Sequence, residues 1–520
     1  MVILGLGGLR NEPTCVLLRD GVLIAAVEQR KVARRVSPGE LPYEAIRTCL
    51  EMGQLSHAEV NVVAVSRPYG PGPDAEVHVG TRQHFPNARV IAVEHHTAHA
   101  ASAYFFSGFV DATVLTLDRF GDFRCGSRWK ANGHSLHLEQ ELYFPDSIGD
   151  LYGRVTELLG LQANADEHKV QWLSTLGQPQ YQDLLGQMLP IEGGWLKPVD
   201  RSWFDGGRFS DRFYKALGLT PGAPVPEQMR RDIAASLQSA VADAVIRMAG
   251  AGSNLCLAGG LFLNALLVAA VERSGKFENV YVQPAAGNAG TALGAVALAW
   301  HQLLGETSPL SLGNFCLGPG FTTEQIKQVL ENCKLKMRTL LTTDAVLQTA
   351  IDQLRDDKIL AWMQGRMEFG ARALGNRSIL ASPVNPYSTE NLNSYIKHRE
   401  PFRKFAASVP AELAGEYFEV GPNARYLATV GTVRPAYRDR FASVTLGQDS
   451  VRVHTVTEED NPLYWRLLHG AAKEFGLPVL YNTSFNLFGD PLVCTPRDAV
   501  RSFYSSGVDA MIAGYFLLEK

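Results

Sequence analysis

The sequence lacks the features that mark disulfide-bonded, zinc-binding or membrane-spanning proteins. Its 520 residues contain no C-x-x-C pair, and the scattered cysteines form no compact framework, so we expect reduced thiols. No apolar run approaches the roughly 20 residues of a membrane span, and no basic leader precedes an apolar run at the start. We therefore expect a cytoplasmic protein without a membrane partner. The seven cysteines are Cys15, Cys49, Cys125, Cys256, Cys316, Cys333 and Cys494.

The chain also lacks a dominant charge. Its net charge of −4 and its pI near 6.4 give no overall basic field, which argues against nucleic acid as a partner. It contains neither a Walker P-loop nor a Rossmann G-x-G-x-x-G motif, so those two nucleotide-binding classes are excluded. A hydrophobic share of 46% over this length instead predicts an ordinary globular protein of several domains.

Histidines are concentrated in one stretch, Glu94–Tyr104, which follows the apolar run 88–93. The alanine-rich sequence predicts a helix on which His95 and His99 project from one face. Two imidazoles so placed can chelate a divalent cation, although packing without a metal is the plain alternative for this spacing. Asp118 ends a predicted buried strand beside a glycine turn, where its carboxylate could complete the site.

Glycine turns link strands to helices at several places. The chain turns at Gly7-Gly8 after the first strand, and two later strands end at Gly259-Gly260 and at the turn 284–294. Turns of this kind allow the backbone to approach a nucleotide closely. Together with Asp118, they predict a split ATP site between two lobes.

Cations collect in the C-terminal third. Arg366, Arg372 and Arg377 interrupt glycine-rich sequence without matching acids, and more cations follow in Lys397–Phe405. Arginine matches phosphate bidentately, and serine or asparagine can add neutral donors. An anion pocket and a solvated basic face are both possible, and the glycines and phenylalanines between the charges favour the pocket. Arg452 and the segment Asn482–Asn486 complete the candidate set.

Composition divides the chain into three parts. Residues 306–344 are rich in Ser, Pro, Gly and Thr and are predicted to link a domain over 1–305 to a domain over 345–520. A Pro/Gly-rich loop is predicted at 68–73, and the loop-rich stretch from 160 to about 225 could form lids over a substrate.

Taken together, these segments resemble the NodU/CmcH/TobZ-type O-carbamoyltransferase family over nearly the whole chain. The resemblance implies an α/β fold in which a two-lobed domain similar to Kae1, of the actin/hexokinase-like ATPase class, precedes a YrdC-like α/β domain. The motifs that carry it are Glu94–Tyr104, Leu257–Asn264, Gln283–Gly294, Gln364–Leu380, Lys397–Ser408 and Asn482–Asn486.

The family resemblance also implies a reaction. Carbamoyl phosphate and ATP yield a carbamoyl-adenylate with release of pyrophosphate, and the hydroxyl of a small natural-product acceptor, such as an antibiotic precursor, then attacks it. The cofactors implied are ATP and a divalent metal, Fe²⁺ or Mg²⁺/Mn²⁺. Adenylation makes a poor carbamoyl electrophile reactive, and cations stabilise the leaving phosphates. A homodimer is left open.

Family positions carried over residue by residue give three expected sites. The metal ligands would be His95, His99, Asp118 and Asn288. The ATP contacts would be Gly259, Gly260, Asn264, Gly287, Asn288, Gly290 and Thr291. Carbamoyl phosphate would be bound by Arg366, Arg372, Lys397, Arg403, Arg452, Asn482 and Ser484, and the catalytic residues would be Asn11, Glu12, Arg372 and Lys397.

The chain departs from the family pattern on the nucleotide, metal and acceptor side. Asn11-Glu12 stands where the family usually has His-Asp, and asparagine cannot take a proton from a hydroxyl. Arg119 follows Asp118 where glycine is usual, Asn288 replaces an aspartate ligand, and Trp172 stands in a segment that is usually Met-Gly-Leu-Ala. Two alternatives therefore stay open: transfer to an amine or another acceptor, and a non-catalytic homologue that binds nucleotide or carbamoyl phosphate in support of a partner enzyme.

Overall fold

The computed structural model describes residues 1–35, 40–67, 74–487 and 489–520. The loop predicted at 68–73 lies outside these ranges. No helix among the described residues is long and apolar enough to cross a membrane.

The first lobe is built on a five-stranded mixed sheet. The order is β3-β2-β1-β4-β5, in which β1, β2 and β3 are antiparallel neighbours while β4 and β5 extend the sheet in parallel from β1. Its strands are β1 (Val2–Gly7), β2 (Thr14–Arg19), β3 (Val22–Glu28), β4 (Val62–Ser66) and β5 (Arg89–Val93). Its helices are α1 (Gln29–Ala33), α2 (Tyr43–Gly53), α3 (Asp74–His84) and α4 (His95–Tyr104).

The second lobe repeats this arrangement. Its sheet has the order β14-β13-β6-β7-β8, again with three antiparallel strands and two parallel ones. The strands are β6 (Asp111–Gly121), β7 (Arg124–Asn132), β8 (Ser135–Tyr143), β13 (Gly252–Ala258) and β14 (Phe277–Val282). Two copies of one topology form a two-lobed α/β domain, so the predicted α/β fold class and its two-lobed organisation are confirmed.

Between β8 and β13 the chain forms helices and short hairpins rather than one long loop. Buried aromatic residues of this insertion, including Trp195, Trp203 and Phe213, pack on α9 and the second sheet, which explains why a segment that reads as loop-rich is ordered. The elements are α5 (Ile148–Leu158), α6 (Glu167–Leu173), α7 (Gln182–Gly186), β9 (Ile191–Glu192), β10 (Trp195–Leu196), β11 (Phe204–Asp205), β12 (Arg208–Phe209), α8 (Asp211–Leu217) and α9 (Glu227–Ala249).

Small residues hold the two lobes together. Helix α11 (Thr291–Leu298) is buried along its whole length and packs against α4 and β1. A Cβ added at Gly294 would overlap the carbonyl of Ala98, and one at Gly5 would overlap that of Ala292. Close backbone approach therefore fixes the histidine helix against both sheets. Helix α10 (Ala265–Arg273) lies between β13 and β14 in the chain.

The C-terminal part has one ten-stranded mixed sheet, in the order β15-β24-β23-β16-β17-β22-β18-β21-β20-β19. The strands are β15 (Arg338–Thr339), β16 (Leu360–Met363), β17 (Arg377–Ala381), β18 (Ala406–Pro410), β19 (Phe418–Glu419), β20 (Gly431–Val433), β21 (Ser450–Val456), β22 (Leu480–Ser484), β23 (Ala510–Ala513) and β24 (Phe516–Glu519). The helices are α12 (Thr323–Asn332), α13 (Thr343–Arg355), α14 (Ser388–Asn391), α15 (Ala414–Tyr417), α16 (Pro462–Phe475) and α17 (Pro496–Tyr504). The likeness to YrdC stays a prediction.

The predicted linker 306–344 is more structured than its composition indicates. Helix α12 places Ile326 and Leu330 in the C-terminal core, and β15 is an edge strand of the ten-stranded sheet. The capping box at Thr322 begins α12. The C-terminal part therefore gathers elements from within this segment, while the predicted boundaries at 305 and 345 stay predictions.

Charged side chains dock the C-terminal part onto the first lobe. Lys31 donates to the carbonyls of Glu368 and Gly370 at 3.1 and 2.7 Å, and Arg34 donates to the carbonyl of Leu492 at 2.8 Å. Such bonds satisfy main-chain acceptors that contact between the domains would otherwise bury.

Candidate functional site

A histidine–carboxylate cluster lies at the junction of the two lobes. His95 Nε2 and His99 Nε2 lie 3.1 and 3.3 Å from Asp118 Oδ2, and all three residues are buried. One ligand atom from each lies within 4.8 Å of the other two. Two imidazole nitrogens and a carboxylate oxygen form a donor set that suits a divalent transition ion.

Local structure explains this convergence. Glu94 caps helix α4 by accepting from the backbone N–H groups of His96 and Thr97 at 3.0 and 2.7 Å, so the helix begins where the prediction placed it. His95 and His99 then share a face one turn apart. Asp118 differs slightly from the prediction, because β6 continues past it to Gly121 instead of ending there.

The hydrogen bonds of each histidine distinguish the candidate metal ligands from the histidine that only packs in the core. His96 contacts Thr116 Oγ1 at 2.7 Å and the carbonyl of Arg124 at 3.1 Å, so both of its ring nitrogens are occupied. His95 Nδ1 contacts the carbonyl of Arg67 at 2.9 Å, which directs Nε2 towards Asp118. A side chain at Gly121 would overlap the His95 ring. The first histidine is thus oriented from two sides.

Asp118 and the two histidines alter one another's pKa values. Burial opposes ionisation of Asp118, but its hydrogen bonds to His95 and His99 outweigh burial and hold its pKa far below the ordinary range. Burial also opposes protonation of His95, yet Asp118 raises its pKa, whereas burial lowers the pKa of His99. A charged carboxylate beside a neutral imidazole is ready to bind a cation.

A cavity of about 820 Å³ opens beside the cluster and brings most of the predicted N-terminal site residues together. Its lining combines the loop after β1, the end of β6, helices α5 and α6, and the two later glycine turns. The predicted residues that line it are Asn11, Glu12, Asp118, Gly260, Asn264, Gly287 and Asn288. Three others, Gly259, Gly290 and Thr291, belong to the same glycine turns but are not among the lining residues.

The glycine turns need glycine for steric reasons. Gly259 has a φ of +101°, and a Cβ there or at Gly290 would overlap a backbone carbonyl. Thr291 Oγ1 accepts from the N–H of Gly8 at 3.2 Å and donates to the carbonyl of Asn288 at 2.7 Å. The turn after the first strand is therefore tied to the last one, as a split nucleotide site requires.

Asn11 and Asn288, two of the departures from the family pattern, contact each other. Asn288 Nδ2 donates to Asn11 Oδ1 at 2.8 Å, while Asn288 Oδ1 is buried without a partner. Glu12 accepts from the N–H of Ala289 at 3.3 Å. Although Glu12 faces the open cavity, the surrounding protein removes enough water to raise its pKa, and the charge of Glu28 adds to the rise.

The C-terminal candidates form a second cluster on neighbouring strands. In the sheet register Arg452 lies opposite Ala406, which lies opposite Asn482, so these side chains share one face. Arg372, Arg399 and Arg403 all lower the pKa of Arg452, in addition to the larger effect of burial. Among the described residues, Arg372, Arg399 and Arg452 make no ion pair. This arginine cluster, defined by Arg372, Arg399, Arg403 and Arg452, carries uncompensated charge.

Two polar atoms at this cluster, one on Arg452 and one on the adjacent Asn482, have no hydrogen-bond partner within the described part of the chain. Arg452 Nε and Asn482 Oδ1 are both buried without a hydrogen bond, although Asn482 Nδ2 donates to the carbonyl of Ala373 at 3.1 Å. A buried donor and a buried acceptor without partners imply a ligand that supplies the complementary groups.

Three residues predicted to bind carbamoyl phosphate bond other protein atoms in the structure: Lys397, Ser484 and Arg366. Lys397 Nζ donates to the carbonyl of Ser484 and to two oxygens of Asn486, at 2.6, 3.0 and 2.8 Å, and Ser484 Oγ donates to Asn486 Oδ1 at 2.7 Å. Arg366 does not join the cluster: it donates to the carbonyls of Ile24, Leu317 and Gly318. It therefore braces the contact between the domains instead of facing an anion.

Helix α6 separates the cavity from the arginine cluster. His168 lines the cavity, and burial followed by the charge of Arg403 lowers its pKa to about 4. Lys169 bonds Glu400 at 3.0 Å, and the guanidinium of Arg452 lies 5.4 Å from the Trp172 ring centre. Arg372 donates to the carbonyl of Leu263, which lines the cavity, at 3.1 Å. The cavity and the arginine cluster are therefore adjacent, and residues of helix α6 contact both.

Sequence reasoning missed Arg399 and the contact that Trp172 makes. Arg399 stands inside the cation-rich stretch 397–405, so its signal was present, and burial and Arg403 lower its pKa to about 9. Trp172 is far from Arg452 in sequence, and nothing in its own segment indicates the pairing.

Two family models match this chain: a carbamoyltransferase N-terminus over residues 74–297 and a carbamoyltransferase C-terminus over residues 351–520. The chain belongs to the carbamoyltransferase family. The predicted family is confirmed, and with it an enzyme that transfers a carbamoyl group. The non-catalytic alternative is therefore set aside.

Named relatives agree with this assignment. Nodulation protein NolNO of Sinorhizobium fredii is 33% identical and covers 98% of this chain and 79% of its own. The 3′-hydroxymethylcephem-O-carbamoyltransferase of Amycolatopsis lactamdurans is 31% identical over 51% of this chain and 48% of its own. A solved structure of the 2-hydroxyisocaproyl-CoA dehydratase activator from Clostridium difficile with bound ADPNP is 15% identical, covers 57% of this chain and 94% of its own, and gives a TM-score of 0.34, too low to carry weight.

Proposed function

We propose that this carbamoyltransferase uses carbamoyl phosphate and ATP, forms a carbamoyl-adenylate and transfers the carbamoyl group to a hydroxyl of a small natural-product acceptor. The observation that carries this proposal is the arginine cluster, in which three arginines lack an ion pair and two buried polar atoms lack partners. Family membership supports carbamoyl transfer itself, and the charges and orphaned atoms support this particular donor.

The two ends of carbamoyl phosphate match the two kinds of unpartnered group. Its phosphate would accept from Arg452, including Nε, and from Arg372 and Arg399, because guanidinium groups bind phosphate oxygens bidentately. Its carbamoyl NH₂ group would donate to Asn482 Oδ1, which is buried and has no other partner. An acyl phosphate that also carries an N–H donor would therefore satisfy both kinds of unpartnered group at once.

Activation requires water to hydrolyse carbamoyl phosphate first, which breaks its anhydride bond and releases phosphate and carbamate. A carbamate oxygen then attacks the α-phosphorus of ATP, and pyrophosphate departs as the leaving group. The glycine turns around Gly260 and Gly287 would bring backbone N–H groups to the nucleotide. His95, His99 and Asp118 would hold the divalent ion, which would supply charge stabilisation to the phosphates.

Transfer needs a group that accepts the proton of the acceptor hydroxyl. Asn11 cannot do so, and its amide oxygen already accepts from Asn288. Glu12 lines the same cavity, and burial, followed by the charge of Glu28, raises its pKa, the direction that makes a carboxylate a stronger base. We therefore propose Glu12 as the base and Asn11 as a residue that positions Asn288.

Release of pyrophosphate tests the proposal directly. Purified protein should release pyrophosphate only when ATP, carbamoyl phosphate and a divalent ion are all present, with Fe²⁺, Mn²⁺ and Mg²⁺ tried separately. A hydroxyl acceptor and the matching amine, assayed side by side, decide between the two transfer alternatives. Phosphate release from ATP without carbamoyl phosphate, or no pyrophosphate with any ion, would refute the proposed route.

A further inference from the structure

Three residues at the mouth of the cavity have no role in the steps above. Arg10 lies on the loop after β1, Phe120 on β6 and Phe144 just after β8, and all three line the cavity. The guanidinium of Arg10 lies 5.3 Å from the Phe120 ring centre, and the Phe144 ring meets Phe120 edge-on at 5.6 Å. These three residues, the rim, bring a cation and two aromatic rings to one place.

The rim is exposed to solvent, and the charge of Arg10 is not used in an ion pair within the described part of the chain. Phe144 is 41% exposed, and its neighbour Phe123, which also contacts Phe120, is 70% exposed. A group of neighbouring exposed phenylalanines usually marks a surface that binds a ligand or a partner. Among the described residues, Arg10 makes no ion pair.

The other charges of the cavity wall are already matched or lie deeper. Arg119 bonds Asp150 at 3.0 Å, and Asp150 also bonds Arg154 at 2.6 Å. His168 is neutral near pH 7, because its pKa is about 4. The acidic groups Glu12 and Asp118 belong to the catalytic side, and Glu167, the first residue of helix α6, accepts from the N–H of Asn164. Arg10 is therefore the one lining cation of the described wall that is available to a ligand.

We propose that the rim is the acceptor subsite and that it selects a hydroxylated ring compound carrying an anionic group. The ring would stack on Phe144 and Phe120, and the anion would bind Arg10. Because Arg10 is two residues before Glu12, this binding mode directs a hydroxyl on the far side of the ring towards the proposed base. The inference rests on the proposed function and specifies its acceptor.

Two commercial probes that differ only in the anion test this subsite. Calorimetry should compare 4-nitrophenyl β-D-glucuronide with 4-nitrophenyl β-D-glucoside on the wild type, Arg10→Gln, Arg10→Lys and Phe144→Ala. Tyr387→Ala removes an aromatic ring that is 64% exposed elsewhere on the surface and serves as the control.

The wild type should bind the glucuronide about tenfold more tightly than the glucoside, the factor expected from one charged hydrogen bond. Arg10→Gln should erase that preference and Arg10→Lys should keep part of it. Phe144→Ala should weaken both probes about three- to tenfold, and Tyr387→Ala should change neither.

Equal binding of the two probes by the wild type, failure to bind either, or a preference that survives Arg10→Gln would overturn the proposal. So would a loss of affinity for a non-hydrolysable ATP analogue in Arg10→Gln, because the rim would then serve the nucleotide. Pyrophosphate release from ATP and carbamoyl phosphate should stay at the wild-type rate in all four variants. That readout shows that the variants are folded and separates failure of this inference from failure of the proposed route.

Discussion

The two candidate sites of this carbamoyltransferase differ in whether their charged side chains are paired. At the junction of the lobes, Asp118 is matched by two imidazoles, so the cluster is nearly balanced before any ligand binds. In the C-terminal part, Arg372, Arg399 and Arg452 make no ion pair among the described residues, and burial lowers the pKa of Arg372 to about 10. The nearby carboxylate of Glu400 is already paired with Lys169 and Arg403. Keeping unpaired cations partly buried is costly unless an anion arrives.

This contrast indicates different tasks for the two regions. The histidine–carboxylate cluster, whose carboxylate is already matched, is proposed to hold a metal, and the neighbouring Glu12 is proposed as the base. The unbalanced arginine cluster has to receive most of its compensation from a substrate. Variants that remove charge should therefore separate the two regions, and the expected effects are given from the largest to the smallest.

Replacing the proposed base should have the largest effect. Glu12→Gln should slow transfer to a hydroxyl acceptor by about a hundredfold to ten-thousandfold, the usual cost of losing a general base. Pyrophosphate release should change little, because adenylate formation needs no base for the acceptor. Product formation and pyrophosphate should be followed in the same reaction.

Asn11→Asp is the matched control for that experiment, because it adds a carboxylate beside Glu12 while leaving Glu12 in place. Equal loss of both half-reactions in Glu12→Gln would show that Glu12 shapes the nucleotide site instead of acting as a base.

Removing the carboxylate of the metal cluster should cost about a hundredfold in metal affinity. Asp118→Asn takes away the charge on which both histidines converge, and a neutral ligand attracts a dication less. Metal content after dialysis, measured by elemental analysis, checks the change.

His96→Gln is the control on the same helix, because both nitrogens of His96 are already occupied. If His96→Gln loses as much metal as Asp118→Asn, the ligand assignment is wrong.

Neutralising one arginine should weaken carbamoyl phosphate binding about ten- to hundredfold. Arg452→Gln leaves the sheet intact but removes a donor worth about 1.5–3 kcal/mol in a charged hydrogen bond. The exposed Arg355, paired with Asp352 at 2.9 Å, supplies the control Arg355→Gln. Calorimetric affinities that agree between the two variants would contradict the arginine cluster as the anion site.

Restoring the family's aspartate should have the smallest effect, about a tenfold gain in metal retention. Asn288→Asp adds negative charge at a position whose side-chain oxygen is buried and unpartnered. Resistance to EDTA, compared with the wild type, measures the gain. No change, or a loss, would place Asn288 outside the metal site.

Local patterns predicted the parts of both regions that local physics determines. The histidine helix follows from alanine-rich sequence and the cap at Glu94, and the glycine turns follow from steric need at Gly259 and Gly290. Arg366 bonds main-chain carbonyls instead of joining the arginine cluster, and its sequence does not reveal this, because a glycine-rich arginine segment looks the same whether it faces an anion or a neighbouring domain. Trp172 and Arg452 meet only through tertiary packing, which no local pattern reports. The polar composition of the segment 306–344 predicts a linker and does not indicate its short edge strand and capped helix.

The central claim is that the arginine cluster can bind carbamoyl phosphate when no metal is bound at the histidine–carboxylate cluster. It is tested most directly by titrating carbamoyl phosphate into EDTA-treated protein without ATP, and again into protein reloaded with metal. We predict one molecule bound per chain with the same affinity, within about twofold, in both titrations, because the arginine cluster supplies its own charge. Binding that appears only when metal or ATP is present would contradict the separation of the two regions.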